Sequence, residues 1–174
     1  RLIENNQIDY KTLYGSWAGA FGYFQFMPST MKNYAIDYDK NSYIDLKNNN
    51  DAYASAANYL NKIGWNDEEP CFYKINLSNE VPKKYLNVSA KKLHDKKKLK
   101  YFRKYIVNDD ILDKNFDDLT TAIITPDKDI IPDAENLSPA YLVFNNYEII
   151  LKWNRSLRFS LAVCTLKDKF INEL

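Results

Sequence analysis

The sequence contains few of the residues on which several common kinds of site depend. Its 174 residues include one histidine, two cysteines and four glycines. The histidine, His94, lies in a lysine-rich stretch and is interpreted as a solvated side chain, so a Ser-His-Asp or Cys-His catalytic group is not indicated. Cys71 and Cys164 have no metal-binding spacing. A disulfide and two buried free thiols are both open interpretations for this pair.

Long apolar runs and an excess of one charge are also missing. No run approaches the roughly 20 residues that a membrane-spanning helix needs, so we predict no transmembrane segment. The net charge is +1, from 24 Lys and Arg against 23 Asp and Glu, which argues against nucleic acid as a partner. The chain begins at Arg1 rather than Met and has no signal peptide, so we expect a piece of a longer precursor.

The glycines divide the chain into two regions of different composition, because all four lie between Gly15 and Gly64. In the first region, Pro28 followed by Ser29 and Thr30 is typical of a helix start. A second helix is predicted over residues 51–63, since its apolar residues follow helical spacing on one face. These residues are Ala52, Ala56, Tyr59 and Ile63.

The second region alternates strand-like runs with turn residues. Residues 71–77, 122–125 and 141–144 are predicted strands. Residues 83–104 contain ten Lys or Arg and one acid, and a short helix is predicted there. The basic run suits either a solvated helix face or contact with anionic wall polymers through Lys91, Lys96, Lys97 and Lys98. A last helix is predicted over residues 156–174, with a core-facing stripe of Phe159, Ala162, Val163, Leu166 and Phe170.

Residues 15–30 are the most informative stretch, reading Gly-Ser-Trp-Ala-Gly-Ala-Phe-Gly-Tyr-Phe-Gln-Phe-Met-Pro-Ser-Thr. The small residues of its first half let another backbone or a bulky ligand come close. A polar amide, Gln25, lies between two phenylalanines. The stretch lacks the Gly-Lys-Ser/Thr ending of a phosphate loop. On the residues alone, a tightly packed turn with a capping serine is as reasonable as a ligand site.

The same stretch resembles a known family. Gly-Ser-x-Ala-Gly-Ala-x-Gly-x-x-Gln-Phe-Met-Pro-Ser is similar to the hallmark of the lytic murein transglycosylase B-like family, glycoside hydrolase family 103. Residues 51–65 continue the pattern as Asp-Ala-x-x-Ser-x-Ala-Asn-Tyr-Leu-x-x-x-Gly-Trp. Residues 139–156 continue it again, through Pro-Ala-Tyr-Leu-Val-Phe and Leu-Lys-Trp-Asn-Arg-Ser. The basic middle of the chain matches poorly.

The resemblance implies an α+β fold. It consists of a lysozyme-like helical groove region, a small β-containing subdomain and a C-terminal helix that packs back on the helical part. We expect boundaries at 1–69 for the groove region with its EF-hand-like loop, 70–144 for the β-containing subdomain, and 145–174 for the returning strand and helix.

The resemblance also implies a substrate and a set of site residues. The substrate and partner would be peptidoglycan glycan strands, and the location would be the periplasm. Association with the outer membrane, through a segment before residue 1, is one possibility that the resemblance leaves open. Phe159 stands at a position where the family often has a tyrosine, so the hydroxyl group of that tyrosine is missing here. The implied substrate-binding residues are Ser16, Gln25, Tyr59, Trp153, Asn154 and Phe159.

Residues 37–51 resemble a lengthened EF-hand loop, a feature of the same family. An EF-hand places side-chain oxygens at positions 1, 3 and 5, a backbone carbonyl at 7 and a late carboxylate. Ser42 stands where a glycine normally makes the sharp turn, at a cost on the order of 1 kcal/mol. We expect structural Ca²⁺, with Na⁺ or a metal-free turn as alternatives. The predicted ligands are Asp37, Asp39, Asn41, the Tyr43 carbonyl and Asp51.

The catalytic acid that the resemblance implies is not expected within this chain. Enzymes of the family use one Glu, located several tens of residues before the Gly-Ser-x-Ala-Gly motif, and only 14 residues precede Gly15 here. Neither Glu4 nor Asp9 has the surrounding motif. The chain alone is therefore expected to be inactive, with an N-terminal fragment of the same protein as the source of the acid. The alternatives are a non-catalytic glycan-binding or wall-scaffolding protein and a calcium-dependent interaction module.

Overall fold

A computed structural model describes residues 15–127 and 137–173. The chain forms two compact units, residues 1–65 and residues 66–174. The predicted boundaries at 69/70 and 144/145 stay predictions. None of the described helices is long and apolar enough to cross a bilayer.

The described part of the first unit contains two helices. Helix α1 spans Pro28–Tyr34 and begins at the predicted proline. Helix α2 spans Asn49–Lys62. The Asn48 side chain caps α2 by accepting a hydrogen bond from the backbone N–H of Asn50 at 2.8 Å, which satisfies one of the free donors at the helix start. The predicted apolar face of α2 is confirmed, because Ala52 and Ala56 are buried and Tyr59 and Ile63 are half-buried.

The second unit is built on a small mixed sheet. Its strands among the described residues are β1 (Phe72–Ile75), β2 (Leu86–Asn87), β3 (Lys97–Lys98), β4 (Thr120–Ile124) and β5 (Ala140–Val143). The order is β1-β5-β4-β2, with β3 paired to β4 outside that path. Strands β1, β4 and β5 pair antiparallel, whereas β2 runs parallel to β4. The three predicted strand runs thus become β1, β4 and β5.

One face of the sheet carries the hydrophobic core of the second unit. Alternate side chains of a strand point to the same face, so Ile123, Leu142 and Phe144 are inside together. The core also takes in Phe102 and Tyr85 from the segment between β1 and β4. The helix predicted in the basic stretch is short: α3 spans only Leu99–Phe102, followed by a 3-10 turn. Residues 91–98 are not helical, so the interpretation of their lysines as a helix face is wrong.

Helices α4 (Asn145–Trp153) and α5 (Leu157–Glu173) close the chain and pack against each other. A disulfide joins Cys71 to Cys164 on α5, which decides between the two interpretations of the cysteines. The buried side of α5 carries Leu157, Ser160 and Cys164.

The predicted core-facing stripe of α5 is wrong. Phe159 is 41% exposed, Leu166 is 55% exposed and Phe170 is 59% exposed. The physical reason is that the disulfide turns the Cys164 side of the helix inward. Helical spacing alone places apolar residues on a common face without showing which partner covers that face.

Candidate functional site

A tight turn lies at the centre of the glycine-rich stretch. Phe21 and Phe26 are both buried and pair across it, each backbone N–H donating to the other's carbonyl at 2.9 and 2.8 Å. Gly22 begins the turn with a φ of 76°, a left-handed conformation that favours glycine. A β-carbon on Gly22 would lie 2.5 Å from Cβ of Leu46 and 2.6 Å from its carbonyl oxygen. Glycine at this position is therefore required by both conformation and space.

Gln25 lies at the exposed end of this turn in an unusual conformation. Its φ is 52°, which is costly for a residue with a β-carbon. The side-chain Nε2 donates to the carbonyl of Gly22 at 2.8 Å. That bond fixes the amide with Oε1 as an acceptor that has no hydrogen-bond partner among the described residues. A strained exposed residue with a fixed acceptor is typical of a ligand contact.

Ser16 and its neighbours form a second turn beside the first. The Ser16 Oγ accepts from the backbone N–H of Ala20 at 3.1 Å, and the Ser16 N–H donates to the Ala20 carbonyl at 2.9 Å. The hydroxyl proton of Ser16 is therefore still available to a ligand. Trp17, at the tip of this turn, is 101% exposed. Sequence reasoning missed Trp17, whose only signal was a large aromatic within a run of small residues.

Tyr59 connects helix α2 to the turn. Its ring lies edge-on to Phe26, with centroids 5.7 Å apart, and to Tyr34, with centroids 4.9 Å apart. Burial, and then the neighbouring Tyr34, raises the pKa of the Tyr59 hydroxyl. The hydroxyl is thus protonated at neutral pH and able to donate a hydrogen bond. The predicted role of Tyr59 as a wall residue is consistent with this packing and stays a prediction.

The remaining predicted substrate residues lie where α4 ends and α5 begins, in the second unit. Trp153 is the last residue of α4 and Asn154 is its C-cap. The Asn154 side chain is exposed, and its amide has no partner among the residues that the structure describes. Phe159 follows in the first turn of α5, where its N–H donates to the Ser156 hydroxyl at 3.2 Å.

The predicted metal-binding loop is held together by its own carboxylates. Asp37 accepts from the backbone N–H groups of Asn41 and Ser42, at 3.1 and 2.9 Å. The Asn41 side chain accepts in turn from the N–H of Tyr43 at 2.8 Å. Ser42 has a φ of 76°, the left-handed conformation expected at the glycine position of an EF-hand.

Three carboxylates of this loop converge. One oxygen each from Asp37, Asp39 and Asp51 lies within 4.8 Å of the others. None of the three has an ion-pair partner among the described residues. Like charges at this separation repel, and a hard cation with oxygen ligands relieves that repulsion. The donor set therefore fits a calcium ion.

Glu4 and Asp9, which the sequence offers as the nearest acids before the motif, lie outside the described residues.

Comparison with protein-family models shows to which family this chain belongs. The model of the family described as transglycosylase SLT domain matches residues 1–168. This chain belongs to that family. The sequence of this chain is also 45% identical over 64 residues to membrane-bound lytic murein transglycosylase B of Escherichia coli K12. That match covers 37% of this chain and 18% of the E. coli protein.

Comparison with solved structures shows that this chain has a lysozyme-like α+β fold, as predicted. SltB3 from Pseudomonas aeruginosa, in complex with NAG-NAM-pentapeptide, superposes with a TM-score of 0.80 at 29% identity. The superposition covers 97% of this chain and 43% of SltB3. E. coli Slt35 in complex with calcium superposes with a TM-score of 0.67 at 23% identity, over 95% of this chain and 48% of Slt35. The chain thus spans less than half the length of these relatives.

The resemblance to the lytic murein transglycosylase B-like family is confirmed by these comparisons. The assignment of Ser16, Gln25, Tyr59, Asn154 and the other substrate residues stays a prediction.

Proposed function

We propose that this SLT domain is the glycan-binding part of a peptidoglycan lytic transglycosylase. Such an enzyme cleaves the β-1,4 bond between MurNAc and GlcNAc without water and leaves a 1,6-anhydro-MurNAc end. The observation that carries the proposal is the Gln25 turn. Gln25 is exposed and held in a left-handed conformation, and its side-chain oxygen is an acceptor without a partner among the described residues. It lies inside a motif typical of enzymes that bind this substrate.

Five of the predicted substrate residues, together with Trp17, have chemical roles in the proposed glycan binding. The Gln25 Oε1 accepts a hydrogen bond from a sugar hydroxyl or an N-acetyl N–H, and the Ser16 hydroxyl donates one. The exposed Trp17 indole supplies an apolar face on which a sugar ring stacks. In the second unit, the Asn154 amide offers both a donor and an acceptor. Trp153 and Phe159 give the neighbouring surface an apolar, aromatic character.

The bond cleavage itself needs a carboxylic acid that we place in a segment before residue 1. This group protonates the glycosidic oxygen as the bond to C1 of MurNAc breaks. The resulting carboxylate then removes the proton from the 6-hydroxyl of the same sugar, whose oxygen bonds to C1. One carboxyl group serves as acid and then as base, and it is regenerated. Residues 1–174 alone are therefore proposed to be inactive.

We also propose that the 37–51 loop binds structural Ca²⁺, with Na⁺ as the weaker alternative. The convergence of three carboxylates and the left-handed Ser42 support this assignment. Asp37, Asp39 and Asp51 supply carboxylate oxygens, Asn41 an amide oxygen and Tyr43 a backbone carbonyl. Asp51 also lies in the first turn of α2, so an ion here ties the loop to that helix.

The periplasm is the proposed location. Disulfides persist in oxidising compartments, and the Cys71–Cys164 bond is of that kind. The E. coli relative is named as membrane-bound. Attachment of this protein to the outer membrane would depend on a segment before residue 1.

Analysis of the products tests the proposed function. The intact protein is incubated with purified peptidoglycan, and soluble fragments are analysed by mass spectrometry. Fragments ending in 1,6-anhydro-MurNAc are expected. Reducing MurNAc ends alone would assign a hydrolase. Binding to peptidoglycan without release of any fragment would assign the non-catalytic binder.

A further inference from the structure

A basic pocket lies in the second unit, and it is lined by residues outside the predicted substrate-binding and metal-binding sets. Its volume is about 330 Å³, a size typical of small-ligand sites. Two buried side chains, Leu93 and Leu151, line its interior. Four exposed cations stand around them: Lys91, Lys92, Lys152 and Arg155.

The cations of the pocket differ from several of their neighbours in having no ion-pair partner among the described residues. None of the four has an ion pair or a side-chain hydrogen bond within the described parts of the chain. Three other cations of the same stretch are paired. Lys98 and Lys100 each lie 2.9 Å from Asp118, and Arg103 lies 2.7 Å from Asp117. These three cations of the basic stretch are thus neutralised by acids, whereas the four cations of the pocket are not.

The acid in the pocket lining does not neutralise these cations. Glu148 accepts two hydrogen bonds from Nζ of Lys96, at 2.8 and 3.0 Å. This ion pair uses the carboxylate of Glu148 and leaves the pocket with a net positive charge. The positive potential in a partly enclosed space is stronger than the same charges would produce on an open surface.

A buried asparagine fixes the loop that carries two of the cations. Asn87 is fully buried, and its Oδ1 accepts from the His94 N–H at 2.8 Å. Its Nδ2 donates to the carbonyls of His94 and Ile123, at 3.3 and 3.0 Å. Both ends of the 88–93 loop are thus anchored to the sheet. The backbone that carries Lys91 and Lys92 is held in place before any ligand binds, which lowers the entropy cost of ordering this loop on binding.

We propose that this pocket binds a carboxylate of the peptide stem that is attached to the glycan. The inference rests on the proposed function, because the glycan must be the substrate for its stem to reach the pocket. Lys152 and Arg155 flank Trp153 and Asn154 in the chain, so the pocket adjoins a predicted glycan contact. A peptide combines carboxylates with small apolar side chains, which match the cations and the two leucines respectively.

Calorimetric titration of the intact protein tests the inference with three probes. These are NAG-NAM-pentapeptide, NAG-NAM without the peptide, and inorganic phosphate. Neither disaccharide contains the MurNAc-GlcNAc bond, so neither is cleaved. The pocket variant is Lys91→Gln with Lys92→Gln. The matched control is Lys83→Gln with Lys169→Gln, which removes the same charge from exposed positions outside the pocket.

At low ionic strength, we expect the wild type to prefer the pentapeptide-bearing disaccharide. The pocket variant should reduce that preference about threefold to tenfold, since it removes two of the four cations and exposed charges contribute only modestly in water. It should leave the affinity for the stem-free disaccharide unchanged. The control should keep the full preference. Added salt should weaken the preference in the wild type.

Several outcomes would overturn the inference. If the wild type binds both disaccharides equally well, this inference is contradicted and the proposed function is not. The same holds if the pocket variant keeps the wild-type preference for the stem-bearing disaccharide. Binding of phosphate as tight as that of the stem-bearing disaccharide would make the pocket a general anion site. A wild type that binds neither disaccharide contradicts the proposed function as well.

Discussion

The buried carboxylate of Asp51 accepts a hydrogen bond at 2.8 Å from the backbone N–H of Tyr38. Its other oxygen accepts from the N–H of Asp45, also at 2.8 Å. One residue at the start of α2 therefore holds two distant parts of the acidic loop. The side chain is 0% exposed, so these donors take the place of water around its oxygens.

Replacement of Asp51 by Asn should abolish the response of the protein to calcium. Calcium at about 100 times its Kd stabilises the folded state by roughly 2.7 kcal/mol. That corresponds to a rise in Tm of about 5–10 °C for a chain of this size. Differential scanning calorimetry with calcium and with EGTA measures the effect. Asp110→Asn, at an exposed carboxylate of the second unit, should keep the full calcium response. If the Tm of the wild type is the same with calcium and with EGTA, the assignment of the loop as a calcium site is wrong.

Gly22 should tolerate a methyl group far less well than Gly64. Both have positive φ, at 76° and 101°, so alanine is strained at each position by about 1–2 kcal/mol. At Gly22 the new carbon would also collide with Leu46, whereas at Gly64 no atom of the described part of the chain, apart from the adjacent residues, lies within 4 Å of it. Gly22→Ala should lower the free energy of unfolding by about 3 kcal/mol in total. Equal losses in urea denaturation of the two variants would contradict the packing described for the turn.

Loss of the Cys71–Cys164 disulfide should weaken the second unit. The bond joins residues 93 positions apart, and closing a loop of that length stabilises a protein by about 2–5 kcal/mol. The double variant Cys71→Ala, Cys164→Ala should therefore unfold at lower urea concentration than the oxidised wild type. Reduced wild type should resemble the variant. Free thiols in freshly purified protein, detected by alkylation and mass spectrometry, would contradict the disulfide.

The local features of this fold were predictable from the sequence because neighbouring residues determine them. Pro28 began α1 as expected, and the spacing of Ala52 and Ala56 identified the buried face of α2. The strand runs that became β4 and β5 were recognisable from their apolar residues. The glycines of the 15–22 stretch indicated a close approach of backbones, which the position of Gly22 against Leu46 confirms.

Features that depend on distant residues were not predictable. The parallel pairing of β2 with β4 joins segments more than 30 residues apart. Phe159 and Phe170 are spaced along α5 as the residues of a buried face would be, yet both are exposed. The disulfide shows that another side of α5 is buried. The left-handed Gln25 gave no signal either, because a non-glycine residue in that conformation is specified by its surroundings.

The most direct test of the glycan site is the affinity of the intact protein for stem-free NAG-NAM after Gln25→Gly. Glycine accepts a φ of 52° without strain, and this gain offsets the lost bond to Gly22 of about 1 kcal/mol, so Tm should hardly change. The variant should bind the disaccharide about tenfold more weakly, because the acceptor Oε1 is gone. Asn61→Gly, an exposed amide on α2, is the control and should bind as the wild type does. Unchanged affinity in the folded Gln25→Gly protein would contradict the account.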